Sequence, residues 1–222
     1  MTKSVIIVAG GKGERMNTEI PKQFIEIGGK PILMHTVSVF YNYDKLIDIV
    51  LVLPENQIVF WKSLCEKHNF QIPHKIVEGG KQRFFSVKNG LQHTDAQLIA
   101  IHDGVRPFVS AQTVERCFLE AERSAAAIPV LQINESIRFI EKNENHAVKR
   151  ENFVTVQTPQ IFHKEIIKNA YNQDFKEQFT DDASVVENSG QKIFLTLGNA
   201  ENIKITTILD LKIAETLIKN VI

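Results

Sequence analysis

The sequence predicts an α/β protein: a three-layer sandwich with a mostly parallel, Rossmann-like central sheet, plus a β-hairpin arm. Three observations carry this. Short apolar runs rich in β-formers, at residues 5–9, 47–53 and 98–102, alternate with helical patterns of ordinary length, which is the rhythm of a parallel sheet covered on both faces. The runs are continuously apolar rather than alternating, as strands buried on both sides are. Three stretches with chemically useful residues each follow such a run: 9–15, 79–86 and 103–108. In open α/β sheets ligands bind beyond the carboxyl ends of the strands, so these stretches should converge in space.

In chain order, Val5-Ile6-Ile7-Val8 is a buried strand that breaks into Ala9-Gly10-Gly11-Lys12-Gly13. The spacing is neither a P-loop nor a full dinucleotide fingerprint. Such a turn still exposes successive main-chain N–H groups to an anion, and Arg15 and Lys22 add positive charge. A helix starts at Pro31, where proline suits the first turn. The strand at 47–53 stops at Pro54, and a helix over 55–69 has Ile58, Trp61, Leu64 and Cys65 on one stripe. A short strand at 75–77 ends in Glu78-Gly79-Gly80, followed by a helix over 84–91. The strand at 98–102 leads into Asp103-Gly104-Val105-Arg106-Pro107-Phe108. Ser110 caps a helix to about Arg123, and 126–130 is again apolar.

Residues 132–158 break the rhythm. Both 135–141 and 152–157 alternate polar and apolar residues, around a polar turn at 142–145, and this predicts a β-hairpin arm. A lone hairpin is marginal in water, so the arm is expected to pack on a second copy of the chain. Helices at 163–171 and 180–188, a strand at 192–197 and the segment 202–206 follow. A last helix begins at Thr207 with Asp210 in capping-box position and a stripe of Leu211, Ala214, Leu217, Ile218 and Val221. The whole chain, 1–222, reads as one domain.

The 222 residues are 43% hydrophobic and 23% charged, with 26 basic and 26 acidic side chains. This is globular composition with zero formal net charge, which disfavours a general nucleic-acid or membrane surface. Residues 5–9 are too short for a signal-peptide core and nothing approaches a membrane span, so a cytoplasmic location is expected. Cys65 and Cys117 have no metal-ligand spacing and read as buried reduced thiols.

Asp103, directly after a buried strand, is suited to hold Mg²⁺ or a ribose hydroxyl. His102 reads as a packing residue. Gly79 and Gly80 bring main-chain polar groups to a ligand; with Ser86 and Arg83 they form a candidate base pocket. Taken alone, Lys149, Arg150, Thr158 and Lys204 read as surface or structural residues. No serine, cysteine or histidine constellation for covalent catalysis is present. The residues offer charge neutralisation and positioning, which phosphoryl and nucleotidyl transfer need.

The combination of Gly10-Gly11-Lys12-Gly13-Glu14-Arg15-Met16, Pro21-Lys22-Gln23, Gly79-Gly80 to Ser86, Asp103 to Pro107, Gln157-Thr158-Pro159-Gln160, Thr180-Asp181-Asp182-Ala183-Ser184 and Asn202-Ile203-Lys204-Ile205-Thr206 resembles the 2-C-methyl-D-erythritol 4-phosphate cytidylyltransferases of non-mevalonate isoprenoid synthesis. The resemblance implies a nucleotidyltransferase fold, CTP and a polyol phosphate as substrates, Mg²⁺, and a homodimer. By that pattern Ala9, Gly10, Gly11, Gly13, Gly80, Ser86 and Asp103 hold CTP. Arg15 and Lys22 stabilise charge on the α-phosphate, and Arg150 and Lys204 place the attacking phosphate. Arg106, Ser136 and Thr158 line the polyol pocket, and Arg150 serves the partner's site from the arm. The family often has alanine where Gly104 stands, and Thr where Ser136 stands. Similar Val-Arg-Pro-Phe wording occurs in ribitol-5-phosphate cytidylyltransferases, the runner-up reading. A nucleotide-sensing module without turnover is the alternative of another class.

Overall fold

In a computed structural model of the chain, the residues described are 1–10, 20–142 and 144–219. The strands are β1 (Lys3–Val8), β2 (Glu26–Ile27), β3 (Lys30–Pro31), β4 (Asp48–Leu53), β5 (Lys75–Glu78), β6 (Leu98–Asp103), β7 (Ala126–Gln132), β8 (Ile137–Glu141), β9 (Glu144–Val148), β10 (Val154–Val156), β11 (Gln160–His163) and β12 (Phe194–Leu197). The helices are α1 (Ile32–Tyr43), α2 (Glu55–Lys67), α3 (Arg83–Leu91), α4 (Ala111–Ser124), α5 (Lys164–Ala170), α6 (Asp182–Asn188) and α7 (Ile208–Lys219).

Strands β6, β1, β4 and β5 run parallel, with β1 between β6 and β4. Strand β11 is antiparallel to both of its neighbours, β6 and β7. Beyond it, β7 takes β12 in parallel and β10 in antiparallel register. The expected mostly parallel sheet is therefore present, with β11 reversed inside it and β10 reversed at its edge.

The continuous apolar run of β1 feeds two cores. Successive side chains point to opposite faces of a strand. Val5 and Ile7 pack with Leu33, Phe40, Trp61 and Phe118 on one face. Ile6 and Val8 pack with Phe84, Val87, Ile167, Tyr171 and Val186 on the other. Each fully buried Val or Ile contributes about 1.5–3 kcal/mol, so this strand anchors Ala9 and Gly10 at its end. A third cluster of Ile27, Ile32, Val105, Phe108, Ile205, Ala214 and Ile218 seats α7. Expected caps are in place: Ser110 Oγ accepts from Thr113 N at 3.1 Å, and Asp210 accepts from Thr207 N at 2.7 Å while Thr207 Oγ1 accepts from Asp210 N at 3.2 Å. Val221 lies outside the described residues.

The arm differs from the expectation for 132–158. Its hairpin pairs β8 with β9, Ile137 opposite Val148 and Glu141 opposite Glu144, with Lys142 at φ 51° starting the reversal. The segment at 154–156 instead joins the main sheet, Val154 opposite Gln132 and Val156 opposite Val130. The second limb was missed because Glu144-Asn145-His146-Ala147-Val148 faces solvent on nearly every side, so it shows no alternation. Gln160–His163, between two turn-like residues and a helix, also went unread as a strand.

Candidate active site

The three stretches do converge. Ala9 N donates to Val52 O at 3.0 Å, Gly79 N to Leu53 O at 2.8 Å and Gly104 N to Val8 O at 2.8 Å. The ends of β1, β4, β5 and β6 are thereby stitched edge to edge. They floor a cavity of about 250 Å³ lined by Ala9, Gly10, Lys22, Gly80, Arg83, Ser86, Asp103 and Lys204, among others. Gly11, Gly13 and Arg15 lie outside the described residues.

Close packing explains two glycines. A Cβ on Gly80 would collide with Phe85, and one on Gly104 would sit 2.8 Å from Ala9 Cβ and 3.0 Å from Leu33 Cδ1. Gly104 thus lets the turn after Asp103 lie flush against Ala9. Gly80 N donates to Ser86 Oγ at 3.1 Å, so the expected pair forms one wall. Lys22 stands on a single 3-10 turn, Lys22–Phe24. Buried Phe24 pins the turn by stacking on Trp61 with centroids 6.2 Å apart. Gln23 pins it from the other side, donating from Nε2 to Ala9 O at 2.8 Å.

Asp103 is the electrostatic centre. Its carboxylate meets Lys204 Nζ at 2.9 Å, Arg106 Nε at 3.3 Å and Arg83 Nε at 3.6 Å. Burial opposes its ionisation, but Arg83, Lys204 and Arg106 together outweigh that and hold the carboxyl well below the usual range. Both oxygens are occupied by cations, and among the described residues no three His, Cys, Asp or Glu side chains gather to hold a metal. The expectation of Asp103 as a metal ligand thus meets, among the described residues, a carboxylate already neutralised by three cations.

Arg83 was expected at the nucleotide. It is held bidentately by Asp182, Nη1 to Oδ1 at 2.8 Å and Nη2 to Oδ2 at 2.6 Å, and Tyr171 donates its hydroxyl to the same carboxylate at 2.6 Å. Asp182 is fully buried. Removing one partner of such a pair typically costs about 3–5 kcal/mol, because the other charge is left unpaired. Burial alone would push the Arg83 pKa down; the carboxylates of Asp182 and Asp103 reverse that and raise it. The aspartates of the Thr-Asp-Asp-Ala-Ser segment divide the work. Asp181 caps α6 in a capping box with Ser184, and Asp182 orients Arg83. Nothing in the sequence marked Asp182 or Tyr171 as a partner, since a buried ion pair between residues 99 apart leaves no local pattern.

A second cavity of about 290 Å³ shares Arg83, Asp103 and Lys204 with the first and adds Arg106, Gln157, Thr158, Gln160, Thr180 and Asp181. Arg106 and Thr158, which the resemblance assigns to the polyol pocket, line this cavity. Ser136, and Arg150, which the resemblance assigns to the partner's site, line neither cavity of their own chain. Both are exposed, and Arg150 donates from Nη1 to Asn134 O.

His102 is a packing residue, as expected. Fully buried, it lies edge-on to Phe40 with centroids 4.9 Å apart. Its Nε2 donates to Arg106 O at 3.0 Å and its Nδ1 accepts from Thr158 Oγ1 at 2.9 Å. The Thr158 oxygen in turn accepts from Asp103 N at 3.1 Å. Burial lowers the His102 pKa to about 4, so the ring is neutral and both nitrogens are committed. Cys65 and Cys117 are free thiols, each pushed up to about 11 by burial, although Cys65 is only half-buried where full burial was expected.

Glycine turns at the ends of parallel strands, facing Lys22, Lys204, Arg83 and Arg106 around one carboxylate, make a site for a polyphosphate and a phosphorylated acceptor, which is the nucleotidyltransferase class. The comparisons agree in detail. The 2-C-methyl-D-erythritol 4-phosphate cytidylyltransferase family model matches residues 3–220. An enzyme of that name from Bacteroides thetaiotaomicron is 51% identical over 219 residues, covering 98% of this chain and all of the relative. One from Clostridium perfringens is 41% identical, covering 96% and 97%. The solved 4-diphosphocytidyl-2C-methyl-D-erythritol synthase from Anaerococcus prevotii superposes with a TM-score of 0.84 at 27% identity, covering 98% of both chains. The cytidylyltransferase from Thermus thermophilus gives 0.80 at 30% identity, covering 99% and 100%. The chain belongs to the 2-C-methyl-D-erythritol 4-phosphate cytidylyltransferase family.

Proposed function

We propose that the chain transfers CMP from CTP to 2-C-methyl-D-erythritol 4-phosphate, giving 4-diphosphocytidyl-2-C-methyl-D-erythritol and pyrophosphate, in non-mevalonate isoprenoid biosynthesis. The observation that carries this beyond family membership is the pair of cavities sharing Arg83, Asp103 and Lys204. One has a glycine wall for the nucleotide, and the other has Arg106 and Thr158 for a phosphorylated polyol. A phosphate oxygen of the acceptor attacks the α-phosphorus, the bond to the β-phosphate oxygen breaks, and pyrophosphate leaves. An acceptor phosphate dianion has no proton to give up, so no general base is needed, in keeping with a neutral, fully bonded His102. Lys22 and Lys204 border the shared space and supply charge where it grows in the transition state. Mg²⁺ is expected to arrive on the triphosphate, since that ion is commonly held through substrate phosphates. Asp103 then orders the cations and meets the ribose.

The same proposal includes a homodimer. Arg150 and Ser136 lie outside both cavities of their own chain, and the adjoining surface exposes Phe139, Ile140, Phe153, Val154 and Val156. A second copy would cover this apolar surface and receive Arg150 in its acceptor site. A cytoplasmic setting suits two free thiols. No helix among the described residues is long and apolar enough to cross a membrane.

The test is pyrophosphate release with CTP or UTP against 2-C-methyl-D-erythritol 4-phosphate or ribitol 5-phosphate. Turnover should be fastest with CTP and the methylerythritol phosphate. Faster turnover with ribitol 5-phosphate transfers the assignment to the runner-up, and equal use of UTP removes the base pocket around Gly80 and Ser86. Binding of CTP without release of pyrophosphate would indicate a sensing module.

A further inference from the structure

Lys204 sits on a stretch, 198–207, that holds no strand or helix before Ile208. A flexible lysine on an irregular loop is a poor catalyst unless something fixes the loop. From this chain's own geometry we infer that Gln157 and Asn202 form an amide clasp that places Lys204, Arg106 and Thr158 together, as positioning residues for the acceptor side of the reaction.

Gln157 is 6% exposed and Asn202 is fully buried. Gln157 Nε2 donates to Asn199 O at 3.0 Å and to Asn202 O at 3.4 Å. Asn202 Nδ2 donates to Thr158 O at 2.8 Å and to Gln157 Oε1 at 3.3 Å. The Asn202 carbonyl also accepts from Arg106 Nη1 at 2.7 Å. One residue thus fixes the main chain at Thr158, the guanidinium of Arg106 and, two residues on, the base of Lys204. Gly198 keeps room for it, since a Cβ there would collide with the Gln157 amide. Ile205 N donates to Val105 O at 3.0 Å, closing the far side of the loop, and Lys204 Nζ is then delivered to Asp103 at 2.9 Å. Among the described residues the buried Asn202 Oδ1 atom meets no partner, so the residue acts through its Nδ2 group and its carbonyl. The contacts of the clasp lie on the second cavity's side, whereas the nucleotide wall of Gly80 and Ser86 has its own bonds. The inference rests on reading that second cavity as the acceptor subsite.

Steady-state kinetics with both substrates varied separate the possibilities. Gln157→Met keeps length and volume without the amide, and Asn202→Ser is the second variant should it fail to fold. Circular dichroism and a thermal melt establish folding for each. A displacement of about 1 Å in a reacting group costs roughly 10²-fold, so kcat/KM for the polyol phosphate should fall about 10–10²-fold, with KM for CTP changed by less than about 3-fold. In a Lys204→Ala background the same change should cost little more, because coupled residues are non-additive. Equal loss toward both substrates, or losses that multiply fully with Lys204→Ala, overturns the clasp. Lys204→Ala without effect on the acceptor constants instead overturns the reading of the second cavity, and the clasp's role with it.

Discussion

The nucleotide side and the acceptor side of this site are built by different means. The nucleotide side is made of strand ends: Ala9, Gly79 and Gly104 each continue a hydrogen bond of the parallel sheet, and its wall follows from where buried strands stop. The acceptor side is made of loops and side-chain amides: Gln157 and Asn202 tie 198–204 to 157–158, and Gln160 ties Asp181 and Ala183. Strand ends place groups through main-chain geometry, with glycine needed where the turns pack closely, as at Gly80 and Gly104. Loops place groups through particular side chains, each of which can be lost. The first side should tolerate changes at its periphery and suffer from loss of charge; the second should suffer from loss of a single amide or of the partner chain.

The largest expected effect tests the charge argument. Lys22→Ala should lower kcat at saturating CTP by about 10²–10³-fold, the typical consequence of removing one preorganised charged donor. The fold should be kept, since the turn is held by Phe24 and Gln23. A fall in CTP affinity with kcat intact would make Lys22 a ground-state binder and remove the asymmetry on that side.

A smaller effect tests whether the acceptor side is completed by a second chain. Arg150→Ala should raise KM for the polyol phosphate, on the order of 10-fold or more, and leave KM for CTP nearly unchanged. Mixing it with Lys22→Ala protein and allowing subunit exchange should restore activity, because each mixed dimer holds one intact site. Exchange confirmed by labelled subunits with no activity regained, or sedimentation of a fully active monomer, would return Arg150 to its own chain.

The smallest effect lies away from the site and serves as its control. Trp61, the single tryptophan, donates its indole N–H to His74 Nε2 at 3.0 Å, and His74 Nδ1 lies 2.7 Å from the Ile72 carbonyl oxygen. A carbonyl only accepts, so Nδ1 carries the proton and Nε2 must stay bare. Burial lowers the His74 pKa below 6.5. The unfolded chain therefore binds this proton first, and stability should decline as pH falls below about 6.5. Denaturation followed by Trp61 fluorescence should show that slope, to which buried His35 and His102 also contribute, and His74→Gln should make it shallower. An unchanged slope would mean that His74 does not titrate between the two states.

The division between strand ends and loops also governs how much could be read from the residues. Val5 to Ala9 and Leu98 to His102 announced buried strands through apolar runs, and the glycines and charges after them marked the nucleotide side. The roles of Asp182, Gln157 and Asn202 went unread because each acts across 40 or more residues of chain, where no periodicity is written; Arg83 and Asp182, for instance, are 99 residues apart. Tyr171 is only 11 residues from Asp182, but a tyrosine at a helix end carries no mark of its partner. Lys204 and Thr158 were legible only through family resemblance, since an isolated lysine or threonine looks the same on a solvated surface as in a pocket. The limb 144–148 hid for the opposite reason: exposed on nearly every side, it needed no pattern at all.

The reversed strand β11 has a consequence for how the chain comes into being. It bridges β6 and β7, pairing Gln160–His163 with the one and Ile161–Phe162 with the other. A nascent chain can therefore assemble β6, β1, β4 and β5 from its first 103 residues, but β6 remains an open edge for the next sixty. During that interval the backbone of Leu98–Asp103 offers unpaired hydrogen-bonding groups beside Ile99 and Ile101, the kind of edge that invites pairing with another chain. Ribosomal delay between residues 103 and 163 prolongs that exposure, and the arrival of four residues, Gln-Ile-Phe-His, ends it.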